Sequence, residues 1–394
     1  MLIDAKFKEA LRQILWQFRA PIRYAFAYGS GVFPQTASTS SASPIHPNPT
    51  PAIAEVQKGT GKMIDYIFGV SFTEHWHSLN LNQHQDHYSS VRWLGSGIVR
   101  RIQDDWGAGV YFNPYVTVNG TLIKYGVVNL DTLRRDLSEW DTMYLAGRLQ
   151  KPVKILRDDA SVRVANQVNL ISAVRTALLL LPENFTEQEL YNTIAGLSYR
   201  GDLRMSFNAE NPNKVANIVK HQIANFRQLY APLISDLPNV SFRDPQVNAS
   251  DFMKDSRANA NLSQDMDPRK RGNMVRRLPK GFRSRLYFRY QTKFQIPRGD
   301  FDKLLEASID ESGDQIKRRE AGPFELRIAK DVPASLRAEL VAALTKTIKW
   351  PSTSQSIKGI VTGGYARSIR YLREKFQKYW DSKAPRSHAK EKTP

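Results

Sequence analysis

Residues 22–28 alternate into a short strand that runs directly into Gly29-Ser30-Gly31. A strand ending in a glycine turn lets backbone amides approach an anion closely, so it is a natural phosphate cradle. A second strand pattern over 62–70 sets Met63, Ile64, Ile67, Phe68 and Val70 around a single acid, Asp65. An unpaired carboxylate between apolar neighbours is expensive to bury, which makes Asp65 a candidate metal ligand. A cradle, a metal carboxylate and cations for a leaving pyrophosphate are the parts that nucleotidyl transfer needs. For the third part the sequence offers Lys124, Lys151 and Lys154. Each feature also has a plainer reading: an ordinary turn, a strand-end acid facing water, and solvated lysines.

Four of the seven histidines, His75, His77, His84 and His87, lie close together. Their spacings match no common zinc motif. Solvated helix histidines, or histidines that hydrogen-bond phosphate, are the other readings.

The elements that must position these groups follow from periodicity. Residues 4–19 place Phe7, Leu11, Ile14, Leu15 and Phe18 on one helical face before Pro21. From Thr36 to Ala54 the chain is rich in Ser, Thr, Pro and Ala, which predicts a mobile loop over 36–54. Asn119-Gly120 predicts a tight hairpin between 110–118 and 121–128, with Tyr115 opposite Lys124. That register puts Phe112, Val116, Val118, Ile123, Tyr125 and Val127 on the core face. Tyr111, Asn113, Tyr115 and Lys124 are then expected on the face that lines a site.

Beyond residue 160 the apolar spacing becomes helical, through Val164, Val168, Ile171, Val174, Leu178 and Leu181, and again from Val215 to Phe226. Thr186 with Glu189 reads as a capping box. Ten Lys and Arg and no acid lie between Pro268 and Lys293, interleaved with Phe282, Leu286, Tyr287, Phe288 and Tyr290. This basic insert, taken as 254–300, is expected to be an interfacial patch or a disordered basic loop. Near the end, Tyr365, Ile369, Leu372, Phe376 and Trp380 share a face, with Arg and Lys elsewhere on the helix, a pattern suited to a lipid interface. The chain shows no internal repeat.

A length of 394 residues accommodates two domains and a tail, and 41% apolar residues exclude a wholly disordered chain. The balance of 57 basic against 38 acidic residues, a net +19, points to a phosphate-bearing partner. With no cysteine, thiolate chemistry and cysteine-ligated zinc are excluded. No apolar run reaches the roughly 18 residues of a spanning helix. Asp4 and Glu9 are unlike an acid-poor transit peptide, so any address segment is expected upstream and removed.

Several longer segments carry a family likeness. They are Tyr28-Gly29-Ser30-Gly31-Val32, Trp76-His77-Ser78, His87-Tyr88-Ser89, Gly107-Ala108-Gly109-Val110-Tyr111 and Ile123-Lys124-Tyr125-Gly126-Val127. Ala146 through Lys154, Leu197-Ser198-Tyr199 with Gly201-Asp202, and Lys358-Gly359-Ile360 complete the set. Together they resemble the mitochondrial translocator assembly and maintenance family, the mitochondrial phosphatidate cytidylyltransferases. The resemblance runs over about 5–231 and again near 350–370.

The resemblance implies an α+β architecture: a nucleotidyltransferase-like mixed sheet with helices (1–160), a mostly helical winged-helix-like domain (161–345) and a C-terminal amphipathic tail (346–394). It implies that CTP and phosphatidate give CDP-diacylglycerol and pyrophosphate for cardiolipin synthesis, at the matrix face of the mitochondrial inner membrane. By position, Tyr28, Gly29, Ser30, Gly31 and His77 would hold CTP, with Lys151 and Lys154 on its phosphates. Asp65 would hold Mg2+, and Lys124 would assist. Ile67 stands where a second acid is usual in nucleotidyltransferases, so the second carboxylate is expected to be Asp136, then Asp202. The expected partners are CTP, phosphatidate and an anionic membrane surface met by 254–300 and helix 357–380, with no nucleic acid. Two rivals accompany this reading, an RNA-end nucleotidyltransferase and a non-catalytic membrane assembly factor.

Overall fold

The computed structural model describes residues 5–33, 45–57, 62–202, 213–244, 250–307, 311–312, 315–316 and 320–363. Its centre is a five-stranded mixed sheet in the order β3-β4-β2-β1-β5. The strands are β1 (Tyr24–Tyr28), β2 (Ile64–Val70), β3 (Val110–Val118), β4 (Thr121–Asn129) and β5 (Lys154–Arg157). Only the β2–β4 pair of this sheet is parallel; β1 runs antiparallel to both β2 and β5, and β3 antiparallel to β4.

Side chains alternate across a strand, so the sheet has two different faces. One carries Ala25, Ala27, Ile64, Tyr66, Phe68, Ile123, Tyr125 and Val127, and packs with α1 (Ala5–Leu15) into one core. Its other cover is α3 (Thr73–Gln83), whose Trp76 is in the same core, while α2 (Pro51–Val56) contributes Ile53. Burying side chains of this size stabilises the fold by about 1.5–3 kcal/mol each. The other face carries Tyr24, Phe26, Ile67, Phe112 and Val128 and joins the large core of the helical half.

That half is built on α5 (Leu130–Glu139), α6 (Ala146–Leu149), α7 (Ala160–Leu180), α8 (Glu187–Leu197) and α9 (Lys214–Ser235), and α4 (Gly95–Asp105) lies against α3. The predicted capping box is present: Thr186 Oγ1 accepts from the Glu189 amide at 3.2 Å, and Glu189 Oε2 accepts from the Thr186 amide at 2.7 Å. A small antiparallel sheet of β6 (Asn184–Thr186), β7 (Val240–Phe242) and β8 (Asn261–Gln264) closes its far side. After α10 (Ser250–Lys254) come α11 (Pro268–Arg276), α12 (Lys280–Phe294), α13 (Arg298–Ala307), α14 (Pro323–Ala329) and the long α15 (Pro333–Gly363). No helix among the described residues is long and apolar enough to cross a membrane.

The structure departs from the sequence-based expectations in three places. The loop foreseen over 36–54 is structured from residue 45: Pro51 starts α2, Ile53 is buried, and the His46 ring accepts from the Leu122 amide at 3.0 Å. Residues 36–44 lie outside the described residues, as do 364–380 of the expected terminal helix.

The basic insert is not a disordered loop: it is largely helical, with Arg269, Lys270, Arg277, Lys280 and Lys293 exposed. Asp267 caps α11, and α12 buries Phe282, Leu286, Tyr287 and Tyr290 at 1% exposure or less. Arg276 is paired with Glu325 at 3.2 Å and is itself buried. Of the aromatic residues in this stretch named above, Phe288 alone is exposed.

The hairpin register also differs. A bulge between Asn113 and Val116, with Tyr115 at φ 54°, puts Asn113 opposite Tyr125 and Phe112 opposite Gly126. One extra residue reverses the side-chain alternation before it. Phe112 therefore joins Lys124, whose Nζ lies 4.6 Å from its ring centroid, while Tyr111 and Asn113 are buried on the other side.

Candidate active site

Strand register assembles the centre of the site. Asp65 is the pairing partner of Tyr28 on β1 and of Lys124 on β4, so the three side chains lie in a row on one face. Lys124 Nζ is 4.0 Å from Asp65 Oδ1. The chain leaves β1 at Gly29, with φ +79°, and turns back so that the Val32 and Phe33 amides donate to the Gly29 carbonyl at 3.1 and 2.9 Å. A Cβ on Gly29 would stand 3.3 Å from Asp65 Oδ2, and one on Gly31 would stand 2.6 Å from the Met63 carbonyl oxygen. The glycine turn and the strand-borne carboxylate are therefore in direct contact, which is the juxtaposition that a phosphate cradle with a metal ligand requires.

The helical half supplies a cationic rim. Arg148 Nε donates to the Tyr28 hydroxyl at 3.3 Å, and its guanidinium lies 4.0 Å from the Tyr144 ring centroid. Burial raises the Tyr28 pKa, opposed by Arg148 and Lys124, so the phenol stays protonated. Lys151 is also here: its Nζ donates to the Gly147 carbonyl and, at 2.9 Å, to Ser198 Oγ. Sequence reasoning did not single out Arg148, Tyr144 and Ser198, which line this rim. The available signal was Gly147, whose Cβ would stand 2.2 Å from Ser198 Cβ, a contact that only glycine permits.

Asp136 is corrected from metal ligand to loop organiser. Its Oδ1 accepts from the Thr142 amide, the Thr142 hydroxyl and the Met143 amide at 2.9, 2.7 and 2.8 Å. Its Oδ2 accepts from the Leu145 and Ala146 amides at 2.8 and 3.0 Å. With both oxygens engaged, it shapes the segment that delivers Tyr144 and Arg148. Asp202 is buried in the turn after α8, where its amide donates to the Tyr199 carbonyl at 3.3 Å.

Two more expected ligands lie on the opposite side of the sheet. Lys154 pairs with Ala27, on the α1 side, and Lys8 is its charged neighbour. His77 is fully buried beneath that same side, with Nδ1 2.7 Å from the Tyr88 hydroxyl and Nε2 2.8 Å from Gln103 Oε1. Burial lowers its pKa to about 4, so it is a neutral core histidine out of a nucleotide's reach. Among the other histidines, His84, Asp86 and His87 offer donor atoms within 4.8 Å of one another. The two rings are stacked, 4.3 Å apart and 2° from parallel, so their in-plane lone pairs do not converge on one ion.

The family model described as "Phosphatidate cytidylyltransferase, mitochondrial" matches residues 11–378. A protein of that name from Schizosaccharomyces pombe is 37% identical over 380 residues, 95% of this chain and 84% of its own length. Another from Xenopus laevis is 37% identical over 369 residues, 93% of each chain. The human protein of that name is 44% identical over 237 residues, 60% of this chain and 48% of its own. On this similarity, and with a glycine turn, carboxylate and cations gathered on one sheet face, the chain belongs to the mitochondrial phosphatidate cytidylyltransferase family.

Proposed function

We propose that this chain condenses CTP with phosphatidate to give CDP-diacylglycerol and pyrophosphate, feeding cardiolipin synthesis. The observation that carries the reading is the row Tyr28, Asp65, Lys124 beside the Gly29-Ser30-Gly31 turn. The turn receives the CTP phosphates, and Lys124 and Lys151 offset the charge of the departing pyrophosphate. A phosphatidate phosphate oxygen attacks the α-phosphorus in line, and the bond to the β-phosphate oxygen breaks.

Asp65 fits a magnesium ion, because its side chain keeps 29% exposure beside the phosphate turn and offers a hard oxygen ligand. Bound there, magnesium would neutralise developing charge on the phosphates. Magnesium commonly takes one or two carboxylates, with substrate phosphates and waters as its remaining ligands. Asp202 is the candidate for a second carboxylate.

The proposed division is a nucleotidyltransferase unit over 1–160, a winged-helix-like unit over 161–345 and a tail from 346. The proposed location is the matrix side of the mitochondrial inner membrane, held peripherally through an anionic surface. Exposed Trp350, Ile357 and Ile360 on α15 support this, as does the basic amphipathic sequence that follows it. The test is to incubate the purified chain with labelled CTP, magnesium and phosphatidate vesicles. A lipid-soluble cytidine product supports the reading, and its absence with well-folded protein refutes it.

A further inference from the structure

We propose that the 3-10 turn Ser90–Leu94 and the start of α4 form a second bilayer contact, in which Trp93, Leu94 and Ile98 enter the lipid surface beside α15. The inference deepens the proposed membrane location and rests on it.

Large apolar side chains grouped in water are unusual on a folded surface and mark a contact. Trp93 is 71% exposed and Leu94 59%, at the end of the turn that leads into α4. Leu94, Ile98, Arg101 and Asp105 follow at helical spacing and are all exposed, so they form the outer stripe of α4. The inner side is anchored, because Val91 and Val99 pack with Tyr88 and Tyr111 in a core of their own. The apolar tip is therefore held out by a fixed base. Phe72, at the head of α3, is exposed as well, and lines with Ser96 the open cleft between α3 and α4.

The position of this patch selects its partner. Lys358 on α15 reaches the end of α4, where its Nζ donates to the Ile102, Gln103 and Trp106 carbonyls at 3.1, 3.2 and 2.6 Å. Ser89 Oγ donates to the Thr362 carbonyl at 2.5 Å. These bonds join the turn, α4 and the end of α15, whose Ile357 and Ile360 are exposed on either side of Lys358 in sequence. The chain beyond Gly363 thus starts next to Trp93 and Leu94, and its sequence is the basic amphipathic stretch suited to a lipid interface. Arg92 lies 4.7 Å from the Trp93 ring centroid, and Arg101 follows Ile98 on the outer stripe. Cations at the level of the phosphates with Trp at the headgroup boundary are the pattern of an interfacial anchor. A bilayer accepts the apolar tips of the turn, α4 and α15 together with these cations.

The chain has no cysteine, so Leu94→Cys carries a single environment-sensitive fluorophore. Exposed Glu183, in the loop before β6, becomes the control site as Glu183→Cys. On phosphatidylcholine–cardiolipin vesicles the Leu94 label should shift to the blue and be quenched by brominated acyl chains, and the Glu183 label should do neither. The full chain carrying Trp93→Ser with Leu94→Ser, folded by circular dichroism, should bind these vesicles at least about tenfold more weakly, since burying one Leu or Trp is worth that much. It should lose turnover on vesicles and keep it on a short-chain, water-soluble phosphatidate. A Leu94 label that brominated lipid leaves unquenched, or unchanged vesicle affinity in the double variant, would overturn the proposal. A blue label in the absence of vesicles would also overturn it: dependence on protein concentration would assign the patch to a second copy, and dependence on residues 364–394 to the chain's own tail. Insertion of Leu94 without any lipid-soluble cytidine product leaves the bilayer contact standing and refutes the cytidylyl-transfer reading; product with an unquenched label refutes the contact alone.

Discussion

Replacing Asp136 by Asn separates a loop organiser from a metal ligand. The carboxylate accepts five hydrogen bonds, three on Oδ1 and two on Oδ2, four of them from backbone amides. Asn keeps one oxygen and presents an NH2 group to the donors on the other side. At least two buried amides then lose their acceptor, at about 1–3 kcal/mol each. A loss of about 4 kcal/mol is expected, which at roughly 2 °C per kcal/mol lowers the Tm by about 8 °C. Urea denaturation and thermal melting read the stability, and a magnesium titration of activity well below the new Tm reads metal affinity. The reasoning fails if Asp136→Asn melts like wild type but needs more than tenfold more magnesium.

Gly31→Ala drives a methyl against the Met63 carbonyl, 2.6 Å away at the start of the strand that bears Asp65, so about 2 kcal/mol of stability and most of kcat/KM should be lost. Wild-type melting with an unaltered Michaelis constant for CTP would contradict this. The buried His77, with its pKa lowered to about 4, favours the folded state fully above pH 6.5, and that contribution is lost as pH falls toward 4. It amounts to about 3 kcal/mol, so denaturation midpoints should fall more steeply over that window in wild type than in His77→Gln. Glu187→Gln strands Arg227, fully buried and 2.8 Å from the carboxylate, and should cost about 3–5 kcal/mol in denaturant without changing the Michaelis constant for CTP.

The parts of the site borne on regular strands were legible. Gly29-Ser30-Gly31 ends β1, Asp65 lies on β2, and the Asn119-Gly120 turn sets β4 with Lys124 where periodicity placed them. What could not be read depended on departures from periodicity or on distant contacts. The Pro114-Tyr115 bulge moved Phe112 to the site face, and nothing local marks which residue a strand will extrude. Asp136 was indistinguishable from a metal ligand because its five donors come from a loop whose path the fold decides. The arginines and lysines of 268–293 left a disordered loop open as a reading, yet aromatic residues at helix spacing anchor α12 in the core while Lys280 and Lys293 stay exposed. Lys154 was misplaced because which face of the sheet it takes is set by its pairing with Ala27 on distant β1, which no local pattern around Pro152 reveals. His77 was misplaced because its partners, Tyr88 and Gln103, come from separate elements that no local pattern brings together.

The most direct test of the central claim compares wild type with Asp65→Asn in the labelled CTP and phosphatidate assay, with circular dichroism as the fold control. The account predicts a lipid-soluble cytidine product from wild type and at least a hundredfold less from a folded Asp65→Asn. Near-normal product from that variant would contradict it.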